Sequence, residues 1–502
     1  MNDFVASIML MGAMASTDGY LPYWMTTNQY GLMPERRGGL ALLQVYSQSD
    51  KSRTIQYSCG VSLATNAYHN PLNPSSRTVN LMADELYGSV KWKLLTLDIG
   101  IKHRENDFIG ASRELGSLSV TGGHLVETGN ARSMPGYLIS LDPGALPLTK
   151  KHLWLYGAYG DYMTMDDRHV EGALVHRMRV GLRYTATDRL SFDAVIDHYA
   201  MWAGHHPTDV SYPVTIKNYI KVVTGRHAGE GGTMSDRLNV IGDHGGSEIF
   251  RVTYRADKWT ITAQHDIPYS DGSGMGFYNF PDGVNTLSFS FTDKNRWVSD
   301  ILYEHQYTLY QSGPIYGEIF DDKGNSITPP GVSTVGMDNY FGNSYYRSGW
   351  THHGRVIGDP LFLPRGVHEQ TWTSARINRG IENNRVKSHH LGLGGKLFRK
   401  HPYKLMLTYS KNYGIYQAPY TGESQIQKPW GTVHETGLHQ ISAAFTGQVE
   451  SVFRIPGLSV LYGIYLDKGQ LYQDAIGLTV GVRYTIGRGE VKHFDDMFIL
   501  RY

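Results

Sequence analysis

Ile476-Gly477-Leu478-Thr479-Val480-Gly481-Val482-Arg483-Tyr484-Thr485-Ile486-Gly487 sets a large apolar side chain at every second position, with Gly, Thr or Arg between. Successive side chains of an extended chain point to opposite faces, so this stretch is a strand with one oily side and one polar side. Its length matches a tilted bilayer crossing rather than the five or six residues usual in a soluble sheet.

The same period recurs outward from there. Ile55, Tyr57, Cys59, Val61 and Leu63 alternate with Gln56, Ser58, Gly60 and Ser62. Leu95, Leu97, Ile99 and Ile101 alternate with Thr96, Asp98 and Gly100; Leu287, Phe289 and Phe291 alternate with Ser288 and Ser290. Met178, Val180, Leu182 and Tyr184 alternate with Arg177, Arg179, Gly181 and Arg183. No helical domain intervenes from near residue 40 to the end, and Phe498, Leu500 and Tyr502 read as a last strand ending on an aromatic. The fold class expected is all-β: a transmembrane antiparallel β-barrel, with small helical or plug elements, in one unit over residues 1–502.

Composition agrees. Hydrophobic residues are 41% of 502 and mean hydropathy is −0.35, a soluble-looking average that a barrel also gives, because only alternate residues meet lipid. Tyr at 35 and Gly at 57 suit interfacial girdles and closely packed strands. No apolar run reaches the roughly 20 residues of a spanning helix. Phe4–Ala15 fits the first strand of a mature chain whose export signal has been removed better than it fits a remnant of that signal, because Met1, Asn2 and Asp3 carry no positive charge. Cys59 is the sole cysteine, which excludes an intrachain disulfide and puts a small hydrophobe on the lipid face. A net charge of +1 argues against a nucleic-acid partner. Pro456-Gly457 and Asp467-Lys468-Gly469 read as short turns, whereas stretches near 205–245, 317–380 and 417–436 read as long outer loops or lumen plugs.

Five segments carry a resemblance: Leu21-Pro22-Tyr23-Trp24 with Asn28-Gln29-Tyr30-Gly31-Leu32; Gly129-Asn130-Ala131-Arg132-Ser133-Met134-Pro135; Asp197 through Gly204; Gln311-Ser312-Gly313-Pro314-Ile315-Tyr316 with Asp338-Asn339-Tyr340 and Ser348 through Leu361; and Asn384-Arg385-Val386 with His389-His390-Leu391-Gly392 and Asn412-Tyr413-Gly414. In this order they resemble the Wzi-type capsule-assembly family of Bacteroidetes; Tyr23 and the His205-His206 pair depart from its pattern. The resemblance implies about 18 strands in the outer membrane of a Gram-negative cell. It also implies a periplasmic helical element and a lectin-like, non-enzymatic role in holding capsular polysaccharide.

Candidate site residues follow from the residue types. Arg177, Arg179 and Arg183 on one strand and Arg251 and Arg255 on another would line the lumen, either as a basic stripe for acidic sugars or, more plainly, paired with Asp98, Asp193 and Asp197. Tyr23, Trp24, Trp202, Trp297, Trp350, Trp372 and Trp430 could stack on pyranose rings or serve as girdle. Trp350 stands out because His352, His353 and Arg355 lie beside it in a polar stretch, so residues 348–361 are expected to bind glycan or plug the pore. The pairs His205-His206, His352-His353 and His389-His390 make poor metal sites, since neighbours on a strand face opposite ways. No nucleophile elbow, cofactor motif or metal set is evident. The expectation is a non-enzymatic barrel that binds or assembles surface polysaccharide, in contact with outer-membrane lipid and other outer-membrane proteins. The alternative is a porin or substrate-specific channel, including one that serves as an accessory subunit of an outer-membrane uptake or secretion complex.

Overall fold

The computed structural model describes residues 3–69, 77–103, 117–228, 240–270, 277–313, 338–364, 380–416, 418–420 and 436–488. Eighteen strands form one antiparallel sheet. They are β1 (Asp3–Ala15), β2 (Gly38–Gln48), β3 (Ile55–His69), β4 (Arg77–Trp92), β5 (Leu95–Ile101) and β6 (Pro135–Ala145). β7 (Leu153–Met163), β8 (Leu174–Thr185), β9 (Leu190–Trp202), β10 (Asp243–Arg255), β11 (Trp259–Tyr269) and β12 (Gly283–Phe291) follow. β13 (Asp300–Tyr307), β14 (Val386–Leu397), β15 (His401–Asn412), β16 (Leu438–Glu450), β17 (Leu458–Gly469) and β18 (Ala475–Arg488) complete it.

Each strand pairs with its neighbour in the chain, and β1 pairs with β18, Gly12 opposite Val480, so the cylinder closes and no edge is left open. Phe498, Leu500 and Tyr502 lie outside the described residues; the strand that closes the barrel is β18. Asp467 through Gly469, expected as a turn, belong instead to β17, where Asp467 keeps the lumen-facing parity and is buried.

The outward face is apolar and open: Leu81 is 83%, Val480 60%, Leu10 59% and Ile8 51% exposed. Leaving one such side chain in water forgoes roughly 1.5–3 kcal/mol, so a continuous belt of them specifies a lipid environment. The lumen face is polar yet covered, with Ser62, Asp197, Asp266 and Asp300 fully buried. Cys59 faces outward. Connections are short at one end, as at 186–189, 256–258 and 398–400, and long at the other. No helix among the described residues is long and apolar enough to cross a membrane; the strands make the crossings.

Among the described residues, two short α-helices flank the wall. α1 (Tyr23–Thr26) sits inside, buried at Tyr23, Trp24 and Met25. α2 (Ile216–Val223), capped by the Thr215 hydroxyl accepting from Asn218 N–H, lies against the outer face of β7–β9. There Tyr219 packs on Trp202 and its hydroxyl donates to Asp161 at 2.7 Å.

Candidate functional site

Three chain segments leave the wall and fold into the lumen: 17–37 after β1, 117–134 before β6, and 338–364 before β14. Inside a barrel their backbone donors and acceptors need partners, and inward wall side chains supply them. In the first segment, Tyr23 N–H donates to Asp467 on β17 at 2.8 Å, and the Trp24 indole donates to Thr408 on β15 at 3.1 Å. Asn28 donates to the Val120 carbonyl, and Tyr30 N–H to the Gly129 carbonyl, tying this segment to the second.

The second segment hangs on two carboxylates. Glu304 on β13 accepts from Val120 N–H at 2.7 Å and from the Thr121 hydroxyl at 2.6 Å; Asp266 on β11 accepts from Leu125 N–H at 2.8 Å. The third segment is held by both walls and the second segment. Trp350 donates to the Val126 carbonyl at 2.7 Å and meets Tyr199 of β9 edge-on. His352 contacts the Arg132 carbonyl at 2.8 Å and accepts from Met165 N–H at 3.1 Å. Arg355 donates to the Thr26 carbonyl, Asn130 to the Val356 carbonyl, and Arg168 to those of Gly349 and Thr351. Gln306 of β13 donates to Asp359 at 2.5 Å. Burial pushes the Asp359 carboxyl up to about 7, opposed by bonds from Leu361 N–H and Gln306. Burial also holds His352 and Arg355 below their ordinary values.

The tryptophans picked from sequence are covered: Trp24 is 4%, Trp202 2% and Trp350 5% exposed. Stacking of a sugar on any of them is not available while their neighbours stay in place. Trp24 and Trp350 lie in the lumen, while Trp202 faces outward beneath α2. His353 reaches the surface and its N–H donates to Asp166. Trp297 is exposed near the short turns; Trp372 and Trp430 lie outside the described residues. His389 and His390 do face opposite ways, His389 to Tyr303 outside and His390 to Leu118 and Thr408 inside.

The arginines line the lumen as paired groups. Arg177 bridges Asp197 at 3.0 Å and Glu127 at 2.6 Å, and Arg179 reaches Asp197 at 2.6 Å. Arg183 pairs with Asp193 at 2.9 Å, Arg251 donates to Gln264, and Arg255 donates to Ser191. Asp98 is not among their partners; it pairs with Lys102, four residues on. Sequence reading missed Glu127, Asp266, Glu304 and His124, which lies 3.3 Å from Asp197; Asp359 falls within the expected 348–361 feature but was given no role of its own. Asp266 and Glu304 carry a signal, an acid on the polar parity of a strand, but which loop each one holds is set by distances across the lumen.

No protein-family model matches the chain, and no curated protein matches it. Solved structures do. Wzi of Escherichia coli, an outer-membrane protein involved in group 1 capsule assembly and described as a carbohydrate-binding β-barrel, aligns over 95% of this chain and 83% of its own, at 12% identity and a TM-score of 0.52. OccK3 (OpdO) of Pseudomonas aeruginosa aligns over 97% and 96% at 9% identity and a TM-score of 0.45. OpdK of the same organism, solved with vanillate, aligns over 97% and 99% at 9% identity and a TM-score of 0.45. At 12% identity the likeness to Wzi is one of fold. A closed cylinder of eighteen strands, oily outside and polar within, makes this chain an outer-membrane β-barrel.

Proposed function

We propose that this barrel is a non-enzymatic surface-polysaccharide-binding protein, holding or helping to assemble capsule-like glycan at the cell surface. One observation carries the reading: three lumenal segments are fastened to inward side chains of the wall, the carboxylates Asp266, Glu304 and Asp467 on β11, β13 and β17 and the uncharged Tyr199 and Thr408 on β9 and β15. A diffusion channel needs a water path past its wall charges. Here Arg177, Arg179 and Arg183 are committed to Asp197, Glu127 and Asp193. Arg residues spent in this way are weak attractors for a passing anion. The Wzi-like segments and the likeness to a carbohydrate-binding barrel support the same reading.

The glycan-facing surface in this reading is the long-loop side of the plug. There His353 is exposed, and half-buried Tyr345 and His169 gather around His206, their rings 4.5 and 4.8 Å from its own, with Arg347 close to His169. Such a mixture of rings and polar groups suits sugar faces and hydroxyls.

Reconstitution in planar bilayers tests the proposal. The purified barrel is expected to give no steady single-channel current, and a deletion strain to export its polysaccharide but shed it. Sustained ion-selective conductance by the unmodified protein would replace this reading with that of a substrate-specific channel.

A further inference from the structure

Asp84 and Glu85 are consecutive on β4, so a regular strand would send one into lipid. The register slips between Ser62 and Leu63: Ser62 stands opposite Glu85 and Leu63 opposite Ala83, leaving Asp84 as the extra residue of a β-bulge. The bulge turns both carboxylates into the lumen, 5% and 1% exposed. His103, just past the end of β5 and 7% exposed, meets them: its Nε2 lies 2.6 Å from Asp84 Oδ1 and its N–H donates to Glu85 Oε1 at 2.8 Å. Carboxylate oxygens and an imidazole nitrogen from these residues fall within 4.8 Å of one another.

The surroundings hold these groups in place. Tyr46 donates to Glu85 Oε2 at 2.7 Å and Ser62 to Asp84 Oδ2 at 2.7 Å, leaving the other oxygen of each carboxylate turned toward His103. Tyr30 lies flat on the His103 ring, centroids 3.5 Å apart. Gly60 makes room for Tyr46, since a Cβ there would come within 2.6 Å of the Tyr46 ring. Ligands steered by hydrogen bonds from a second layer of side chains are the usual build of a protein metal centre.

We propose that Asp84, Glu85 and His103 form a divalent-cation site, for Zn²⁺ or a similar first-row ion, that clips the plug to the wall. Oxygen and imidazole donors together favour such ions over Ca²⁺ or Mg²⁺, which prefer all-oxygen shells. The cation takes the place of the hydrogen now shared by His103 Nε2 and Asp84 Oδ1. Through Tyr30, whose N–H is bound to Gly129, it fixes the junction of segments 17–37 and 117–134 to β4. The proposal is independent of whether the barrel binds glycan.

The test uses the purified full-length barrel in detergent, stripped with EDTA, equilibrated separately with Zn²⁺, Mn²⁺, Ca²⁺ and Mg²⁺, desalted and assayed for metal by mass spectrometry. One equivalent of Zn²⁺ or Mn²⁺ is expected, with a raised melting temperature, and none of Ca²⁺ or Mg²⁺. Asp84→Asn and His103→Gln are expected to lose it, and Tyr46→Phe to weaken binding about 10- to 100-fold. His353→Ala, which removes an exposed histidine elsewhere, is expected to keep it. Heat-modifiable gel mobility checks that each variant is folded. Wild type holding no metal, or Asp84→Asn and His103→Gln holding as much as wild type, overturns the site; equal uptake of all four ions does the same.

Discussion

Glu304, reaching inward from β13, accepts the Thr121 hydroxyl at 2.6 Å, a contact spanning 183 residues of sequence. The same carboxylate accepts Val120 N–H at 2.7 Å, so one buried side chain fixes the start of a lumenal segment. Glu304→Ala leaves those donors without their acceptor in a covered site, at a cost of about 3 kcal/mol. The expected outcome is faster hydrogen exchange confined to residues 117–128, with the β-strands still protected. Uniform exchange across wall and plug would contradict it.

Trp350 joins two parts of the lumen, with its indole N–H on the Val126 carbonyl and its ring edge-on to Tyr199. Trp350→Ala is expected to loosen the 338–364 segment by about 3–5 kcal/mol, chiefly through the cavity left behind. Trp350→Phe keeps most of the volume and loses the hydrogen bond, costing about 1–2 kcal/mol. Limited proteolysis of intact barrels in detergent, scored for cleavage within that segment, ranks the variants. Equal resistance in all three proteins argues against the anchoring role.

Asp359 makes docking of the plug sensitive to pH. Its folded value of about 7 lies above the ordinary carboxylate value of 3.8, because it is buried close to Glu304 and Asp266. The folded state therefore binds this proton more tightly than the unfolded state. Its stabilisation is complete below pH 4 and is lost as pH rises to 7. Three pKa units at 1.36 kcal/mol each set an upper size on the order of 4 kcal/mol. Asp359→Asn imitates the neutral acid, so its melting temperature should gain on wild type between pH 4 and 8. Parallel melting curves for the two proteins across that range would refute the assignment.

The outward face can be tested at the closing seam. Val480, 60% exposed and opposite Gly12 of β1, is on the apolar parity, while its neighbour Thr479 is buried in the lumen. Val480→Arg is expected to destabilise the barrel in lipid by about 2–4 kcal/mol if it lies near the bilayer midplane. Thr479→Ser should change it by less than about 1 kcal/mol. Urea titration in liposomes reads both, and similar midpoints would mean that Val480 does not meet acyl chains.

Much of the wall was legible because a strand's period depends only on neighbours in the chain. Ile476 through Ile486 announce their lipid face without reference to any other residue. Asp467 was harder: its Asp-Lys-Gly run resembles a turn, and its pairing with Ser442 of β16 and Ala475 of β18 keeps it in a strand. Asp84 and Glu85 were hidden for a related reason, since a bulge depends on the partner strand, not on the residues it displaces.

The sequence by itself determined that this chain alternates into membrane-length strands and that its polar parity carries Arg177, Arg179 and Arg183. It also marked 348–361 as unlike a simple loop. Only the tertiary structure decided that those arginines are spent on Asp197, Glu127 and Asp193, and that Trp350 is covered rather than offered to a ligand. Periodicity is a local property that one strand can satisfy alone. Pairing across a closed lumen brings together residues such as Thr121 and Glu304, whose proximity is set by the circumference of the barrel and the path of the chain through it.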